Sequence, residues 1–135
     1  MPAAVRPRPE PTEREDAFAR GVIGAAIEVH RVLGPGLLES IYEEALCIEL
    51  TERQIPFVRQ RQIDLIYKGH VIGAGRLDLL VGDALVVELK AVERLTDVYL
   101  AQVLSYLRTT GYRLELLINF NVAVLRKGIK RVILT

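Results

Sequence analysis

Arg76-Leu77-Asp78-Leu79-Leu80-Val81-Gly82-Asp83-Ala84-Leu85-Val86-Val87-Glu88-Leu89-Lys90 is the stretch on which the reading of this chain turns. Two apolar runs flank a Gly-Asp turn signal, which marks a β-hairpin, and its register decides which side chains share a face. A two-residue loop, Gly82-Asp83, pairs Val81 with Ala84 and sets Asp78 opposite Val87. A three-residue loop, Gly82-Asp83-Ala84, pairs Val81 with Leu85 and Asp78 with Glu88. The second register collects Leu77, Leu79, Val81, Leu85, Val87 and Leu89 on one apolar face and leaves Arg76, Asp78, Leu80, Val86, Glu88 and Lys90 on the other. Mixing carboxylates into an apolar face costs several kcal/mol. The patterning therefore selects the three-residue loop and brings Asp78, Glu88 and Lys90 together.

Outward from this ribbon the hydrophobic period changes twice. Phe57 to Tyr67, Val71 to Val81 and Ala84 to Leu89 alternate as three consecutive strands, with turns near Lys68-Gly69 and Gly82-Asp83. Before Pro56 the spacing is helical. Thr12 and Glu15 form a capping-box pair that starts a helix from about Glu13 to Leu33, with Phe18, Val22, Ala25, Ala26, Val29 and Leu33 on its apolar side. Gly34-Pro35-Gly36 stops it. A second helix follows from about Leu37 to Arg53, stepping through Leu38, Ile41, Ala45 and Ile48. After the ribbon, Thr96 or Asp97 caps a helix that reaches Thr109 and ends at Gly111, its apolar stripe being Leu100, Val103, Leu104 and Leu107. Leu114 to Phe120 is a buried-strand run, and Val122 to Leu125 with Ile129 to Leu134 are expected as a closing hairpin around Lys127-Gly128. The order is that of an α/β domain, a central sheet flanked by helices. Four of the six prolines lie in residues 1–11, an expected extended or disordered arm, which leaves 12–135 as one domain.

Composition narrows the function classes. Of 135 residues 50% are hydrophobic, enough for one buried core and too many for a disordered chain. No apolar run approaches the roughly 18 residues that cross a bilayer, and the first residues lack the apolar segment of a secretory signal. The single Cys47 forms neither an intrachain disulfide nor a zinc site, and His30 and His70 are too few for a histidine-rich metal centre. A reducing cytoplasm, with no membrane partner, is the expected setting. The net charge of +1 divides into −4 over residues 1–55 and +5 over residues 56–135. A basic C-terminal half suits phosphates, and solvated surface charge accounts for it equally well.

Asp78 and Glu88 facing each other repel unless something positive lies between them. Lys90 supplies part of that, and a divalent cation with oxygen ligands, Mg²⁺ or Mn²⁺, supplies the rest. The competing account is a structural ion pair on a solvated sheet face. On the following helix Gln102 and Tyr106 are i, i+4 neighbours off the apolar stripe, either lining the same cleft or simply an exposed amide beside a half-buried ring. Glu39, Glu43 and Glu44 on the second helix are candidates for a third ligand, and Glu39 equally suits the helix dipole. His30 is read as a helix-end dipole partner and Cys47 as a small core residue.

Taken together, these residues resemble a known family. Asp78 followed by Glu88-Leu89-Lys90 resembles the D…(D/E)xK signature of the PD-(D/E)xK nuclease superfamily, and Gln102 to Tyr106 is similar to the QxxxY motif of its RecB-like members. Gly36-Leu37-Leu38-Glu39-Ser40-Ile41-Tyr42 resembles GxxExxY, the signature of a family of small bacterial proteins. The likeness runs from about residue 18 to 134 and includes the strand Leu117-Ile118-Asn119-Phe120. It departs at Leu77, where a proline often precedes the first acid, and at Tyr99, where many relatives carry His. The resemblance implies a restriction-endonuclease-like αβββαβ core and Mg²⁺- or Mn²⁺-dependent hydrolysis of a phosphodiester. Asp78, Glu88, Glu39 and the backbone carbonyl of Leu89 would hold the metal. Lys90 would orient the attacking water, with Gln102 and Tyr106 positioning it or the nucleic acid. Arg76, Arg126, Lys127, Lys130 and Arg131 are candidate phosphate contacts. Duplex cleavage needs two sites, which makes a homodimer an expectation. The alternative is a non-catalytic nucleic-acid-binding or protein-interaction module on the same fold.

Overall fold

Ala84 sets the register of the ribbon. Gly82 and Asp83 both adopt left-handed backbone conformations, φ 59° and 51°, and the Ala84 N–H donates to the Val81 carbonyl at 3.1 Å. Such a turn follows the natural twist of a hairpin. Ala84 is then the one extra residue, so that Val81 pairs with Leu85, Leu80 with Val86 and Leu79 with Val87. The three-residue loop expected from the apolar pattern is present.

In the computed structural model, which describes residues 11–134, helices α1 (Glu13–Leu33) and α2 (Glu39–Glu52) precede strands β1 (Phe57–Tyr67), β2 (His70–Val81) and β3 (Leu85–Lys90). Helix α3 (Asp97–Thr110), strand β4 (Leu114–Asn119), a 3-10 turn (Leu125–Gly128) and strand β5 (Ile129–Ile133) follow. Apart from Pro11, the expected N-terminal arm lies outside the described residues. The capping box opens α1, with Thr12 Oγ1 accepting from the Glu15 N–H at 3.2 Å and Glu15 Oε1 accepting from the Thr12 N–H at 2.7 Å.

The sheet order is β1-β2-β3-β4-β5. Only β3 and β4 are parallel, because α3 carries the chain back between them, and parallel pairing needs such a crossover. Helices α1 and α2 cover one face, packing Val22, Ala26, Tyr42, Leu46 and Leu50 against the strand residues Leu79, Val87 and Leu116. Helix α3 covers the other, with Val103 and Leu107 over Leu80, Val86 and Leu117. The result is a mixed sheet between two helical layers.

Three expectations give way to the structure. The buried stripe of α2 is Tyr42, Leu46 and Leu50, whereas Leu38, Ile41 and Ile48 are 71%, 42% and 59% exposed. Helix α2 carries two apolar stripes, and periodicity alone does not say which one the core takes. Val122 to Leu125 is not a strand, and β5 pairs directly with β4, from Ile118↔Ile129 to Leu114↔Ile133. The intervening segment is held elsewhere: the His30 ring shares a 2.8 Å hydrogen bond with the Val122 carbonyl. Gly128 meanwhile lies so close to β4 that a Cβ there would collide with the Asn119 carbonyl oxygen. Finally, Leu77 packs with Leu80 and Val86 under α3, whereas Leu79 belongs to the α1–α2 side; the change falls where the β2–β3 ladder ends and opposite the left-handed Gln60 of β1.

Candidate active site

Strands β2 and β3 part company at Asp78. Their ladder runs from Val81↔Leu85 to Leu79↔Val87 and goes no further, although both strands continue. Beyond it, side chains serve the backbone donors. The Leu89 N–H donates to Asp78 Oδ2 at 2.8 Å, and the Asp78 N–H donates to Glu88 Oε1 at 3.3 Å. Each carboxylate thus engages the backbone of the opposing strand. The neighbouring strand bends too: Gln60, which falls between the pairs Arg59↔Leu79 and Arg61↔Leu77, has φ 51°. This fork is where the ribbon opens into a site.

The two acids are half-buried, and both titrate above their ordinary range. Burial raises the Asp78 carboxyl most, against the Leu89 N–H and the hydrogen bond with Glu88, which favour its charged form. Burial also dominates at Glu88, followed by the charges of Asp78 and Glu115. Glu115, on β4, was not among the sequence-derived site residues. It is 0% exposed, both its carboxylate oxygens are without a hydrogen-bond partner among the described residues, and burial with Asp78 pushes it up to about 8. Its signal in the sequence is a single acid inside an otherwise apolar strand, a position where charge is costly unless something answers it.

Glu39 reaches the same electrostatic neighbourhood from α2. Burial and then Asp78 raise its carboxyl, while Lys90 pulls it down. The loop before it is built to hold it there. Gly36 takes φ 98°, and fully buried Tyr42 donates its hydroxyl to the Gly34 carbonyl at 2.6 Å while accepting from the Leu37 N–H at 3.1 Å. The Tyr42 ring stacks on Phe120 with centroids 4.5 Å apart. The other two glutamates considered have partners: Arg59 donates to Glu43 at 2.8 Å and to Glu44 at 2.7 Å, and Gln60 donates to Glu43 at 2.7 Å. They fasten α2 to β1 beside the fork.

Lys90 ends β3 with its Nζ 4.8 Å from the centroid of the Tyr99 ring, a cation–π contact from α3. Its main chain is clamped from β4. The Phe120 N–H donates to the Lys90 carbonyl at 2.9 Å, and the Asn119 amide both accepts from the Val92 N–H at 3.0 Å and donates to the Val92 carbonyl at 2.8 Å. Tyr99, Gln102 and Tyr106 follow at i, i+3, i+7 along α3. Gln102 Nε2 donates to the Tyr106 hydroxyl at 3.4 Å. The Tyr106 ring lies on Gly75 of β2, where a Cβ would approach it to 3.0 Å. No hydrogen bond joins Gln102 to Lys90 among those described.

The basic residues divide into groups. Arg76 is exposed on β2, two residues from Asp78. Arg126 and Lys127 are exposed on the 3-10 turn and Lys130 on β5. Lys127 and Lys130 line a groove with Arg94, Glu93 and Asn119 where the chain leaves β3. Arg94 is an addition made by the structure. Arg131 instead pairs with Asp16 of α1. His30 is bonded to Val122, and burial pushes the Cys47 thiol up to about 11, against nucleophilic chemistry there.

Among the described residues no three His, Cys, Asp or Glu side chains stand close enough to hold an ion as they are. The donor chemistry nevertheless fits one. Asp78 and Glu88 are adjacent, oxygen-only and raised by burial, with Glu39 within electrostatic reach. Such a set suits Mg²⁺ or Mn²⁺, which keep several waters, and not zinc. No helix among the described residues is long and apolar enough to cross a membrane. A family model described as the PD-(D/E)XK nuclease superfamily matches residues 16–132, a span that takes in the fork, the α2 loop and the α3 stripe. No curated protein matches the chain.

Proposed function

As a chain that belongs to the PD-(D/E)XK nuclease superfamily, we propose, this protein hydrolyses phosphodiesters of nucleic acid with a divalent cation, Mg²⁺ or Mn²⁺, bound at the β2–β3 fork. The observation that carries this reading is the exchange between Asp78 and Glu88, two half-buried carboxylates that cap each other's strands where the ladder stops. Asp78 and Glu88 would hold the cation, with Glu39 closing on it from α2 and the Leu89 carbonyl beside them. When bound, the ion supplies a water acidic enough to deprotonate near neutral pH and stabilises charge on the phosphate.

The protein's own residues do the rest. The Leu89 N–H keeps Asp78 oriented, so one ligand direction is fixed before substrate arrives. Lys90, clamped through Asn119 and Phe120, swings its ammonium from the Tyr99 ring to a phosphate oxygen or to the attacking water, where a fixed positive charge counts most. Gln102 and Tyr106 line its approach. Arg76 on one side, and Arg94, Arg126, Lys127 and Lys130 on the other, receive the backbone phosphates, a contact mode that reads charge and not sequence. A homodimer would present two such sites, one for each strand of a duplex.

The test is cleavage of single- and double-stranded DNA and RNA with Mg²⁺ or Mn²⁺, against chelator, Asp78→Asn and Lys90→Ala. Metal-dependent cleavage lost in both variants is expected, and cleavage that survives both refutes the site. One observation favours a second reading, a non-catalytic nucleic-acid-binding module: the Lys90 ammonium is engaged by the Tyr99 ring. Binding without cleavage in either metal would select it.

A further inference from the structure

Helix α2 is apolar on two sides, and the core of its own chain covers one. Tyr42, Leu46 and Leu50 are fully buried. A second stripe beside it, exposed Leu38, Ile41 and Ile48 with half-buried Ala45, repeats at intervals of three, four and three residues, the spacing of a seam that packs on another helix. The last turn of α1 widens this stripe. Val32 is 64% exposed, and Val29, Val32 and Leu33 line a shallow groove with Ala45 and Ile48. Together the patch bares on the order of 500 Å² of apolar surface, the upper end of what a monomer ordinarily leaves exposed.

We propose that this outer face of α2 is where two copies of the chain pair, the helices crossing at Ala45. Three observations favour a second copy as the occupant. The rim charges are largely paired, Glu28 with Arg31 and Glu49 with Arg53, with exposed Glu52 one turn beyond Ile48 at the end of the stripe, so two copies oppose few like charges and a polyanion finds no surplus of cations. Half-buried Ala45 lies between exposed Ile41 and Ile48, a small residue set low at the centre that lets two helices approach across a two-fold axis while the larger side chains interlock. Two such patches face to face bury about 1,000 Å², the lower bound of a stable interface. The fork stays open in this arrangement, because Glu39 and Glu43 leave α2 on the side that faces Asp78 and β1. The interface deepens the paired nuclease proposed above and rests on that reading only for its use.

Sedimentation of the full chain over a concentration series tests it. The expected mass is twice 15.1 kDa for the wild type, falling to the single-chain mass in Ile48→Asp with an unchanged circular dichroism spectrum. Two buried charges per dimer should weaken pairing by on the order of 100-fold or more. In Ala45→Cys, mild oxidation should yield a covalent dimer, a readout independent of how Ile48→Asp folds. A wild type that stays single-chain throughout overturns the pairing itself. A pair that persists in Ile48→Asp, or an Ala45→Cys chain that does not cross-link, overturns this face. Neither result bears on metal-dependent cleavage, whose absence would in turn remove the nuclease reading and leave the mass untouched.

Discussion

The two ends of the β2–β3 ribbon use similar residues for opposite purposes. At the turn end, Leu79, Val81, Leu85 and Val87 are fully buried, the strands are paired, and the strained conformations of Gly82 and Asp83 sit where a tight turn needs them. At the fork end, four or five residues from the turn along each strand, pairing stops, two backbone donors pass to side chains, and three acids lie in surroundings that disfavour their charge. One end supplies stability and the other consumes it. The candidate site lies where the strands, held in step by the paired turn end, cease to pair.

The harshest way to break this contrast is to delete Leu85. With the Gly82-Asp83-Ala84 loop kept, Val81 would pair with Val86 and Leu79 with Glu88 in place of the present Val81↔Leu85 and Leu79↔Val87 pairs, and Glu88 would turn toward the apolar α1–α2 face. Loss of a cooperative thermal transition by calorimetry is the expected outcome, since burying unpaired carboxylates costs several kcal/mol. Asp78→Asn acts on the fork end alone. Cleavage should drop at least about 10³-fold, with Mn²⁺ binding lost by calorimetric titration and the metal-free melting temperature not lowered.

Next in size is pH. Glu115 and Glu88 carry raised carboxyls in the folded protein. An acid whose folded pKa is raised favours folding fully below its ordinary pKa, and that advantage is lost as pH climbs through the folded value. Metal-free stability should therefore fall between the ordinary 4.5 of Glu115 and its folded value of about 8, by a few kcal/mol in urea titrations. Glu115→Leu should flatten that slope and stabilise the protein at alkaline pH. The mildest change is Tyr42→Phe. It keeps the stack on Phe120 but removes the hydroxyl's two hydrogen bonds to the Gly34–Leu37 loop, for a loss of about 1–3 kcal/mol and a weaker apparent metal affinity in activity titrations as Glu39 loosens.

Much of this was legible in the sequence. Register followed from pattern, because slipping by one residue exchanges the faces of every side chain. Helix starts and stops followed from Thr12, Glu15 and Gly111, whose chemistry acts locally. What pattern could not supply depended on neighbours distant in the chain. Choosing between the stripes of α2 required knowing where the sheet lies. Val122 to Leu125 has strand-like composition but is claimed by His30 of α1. Leu77 changes sides where the β2–β3 ladder gives way to carboxylate–backbone bonds at Asp78, and an alternation rule assumes that the ladder continues. Glu115 is masked by its apolar neighbours: Leu114 to Phe120 has the composition of a buried strand, and the one acid inside it carries the information.

Phe120 supports two parts of the candidate site at once. Its backbone holds the Lys90 carbonyl, and its ring supports Tyr42, which fixes the loop ahead of Glu39. A lysine from the middle layer and an acid from the outer layer therefore share one footing. Any force that tilts that ring, whether from a substitution beneath it or from tension along α2, shifts both groups in concert, making this aromatic joint a place where the site can be tuned without touching a residue that meets substrate.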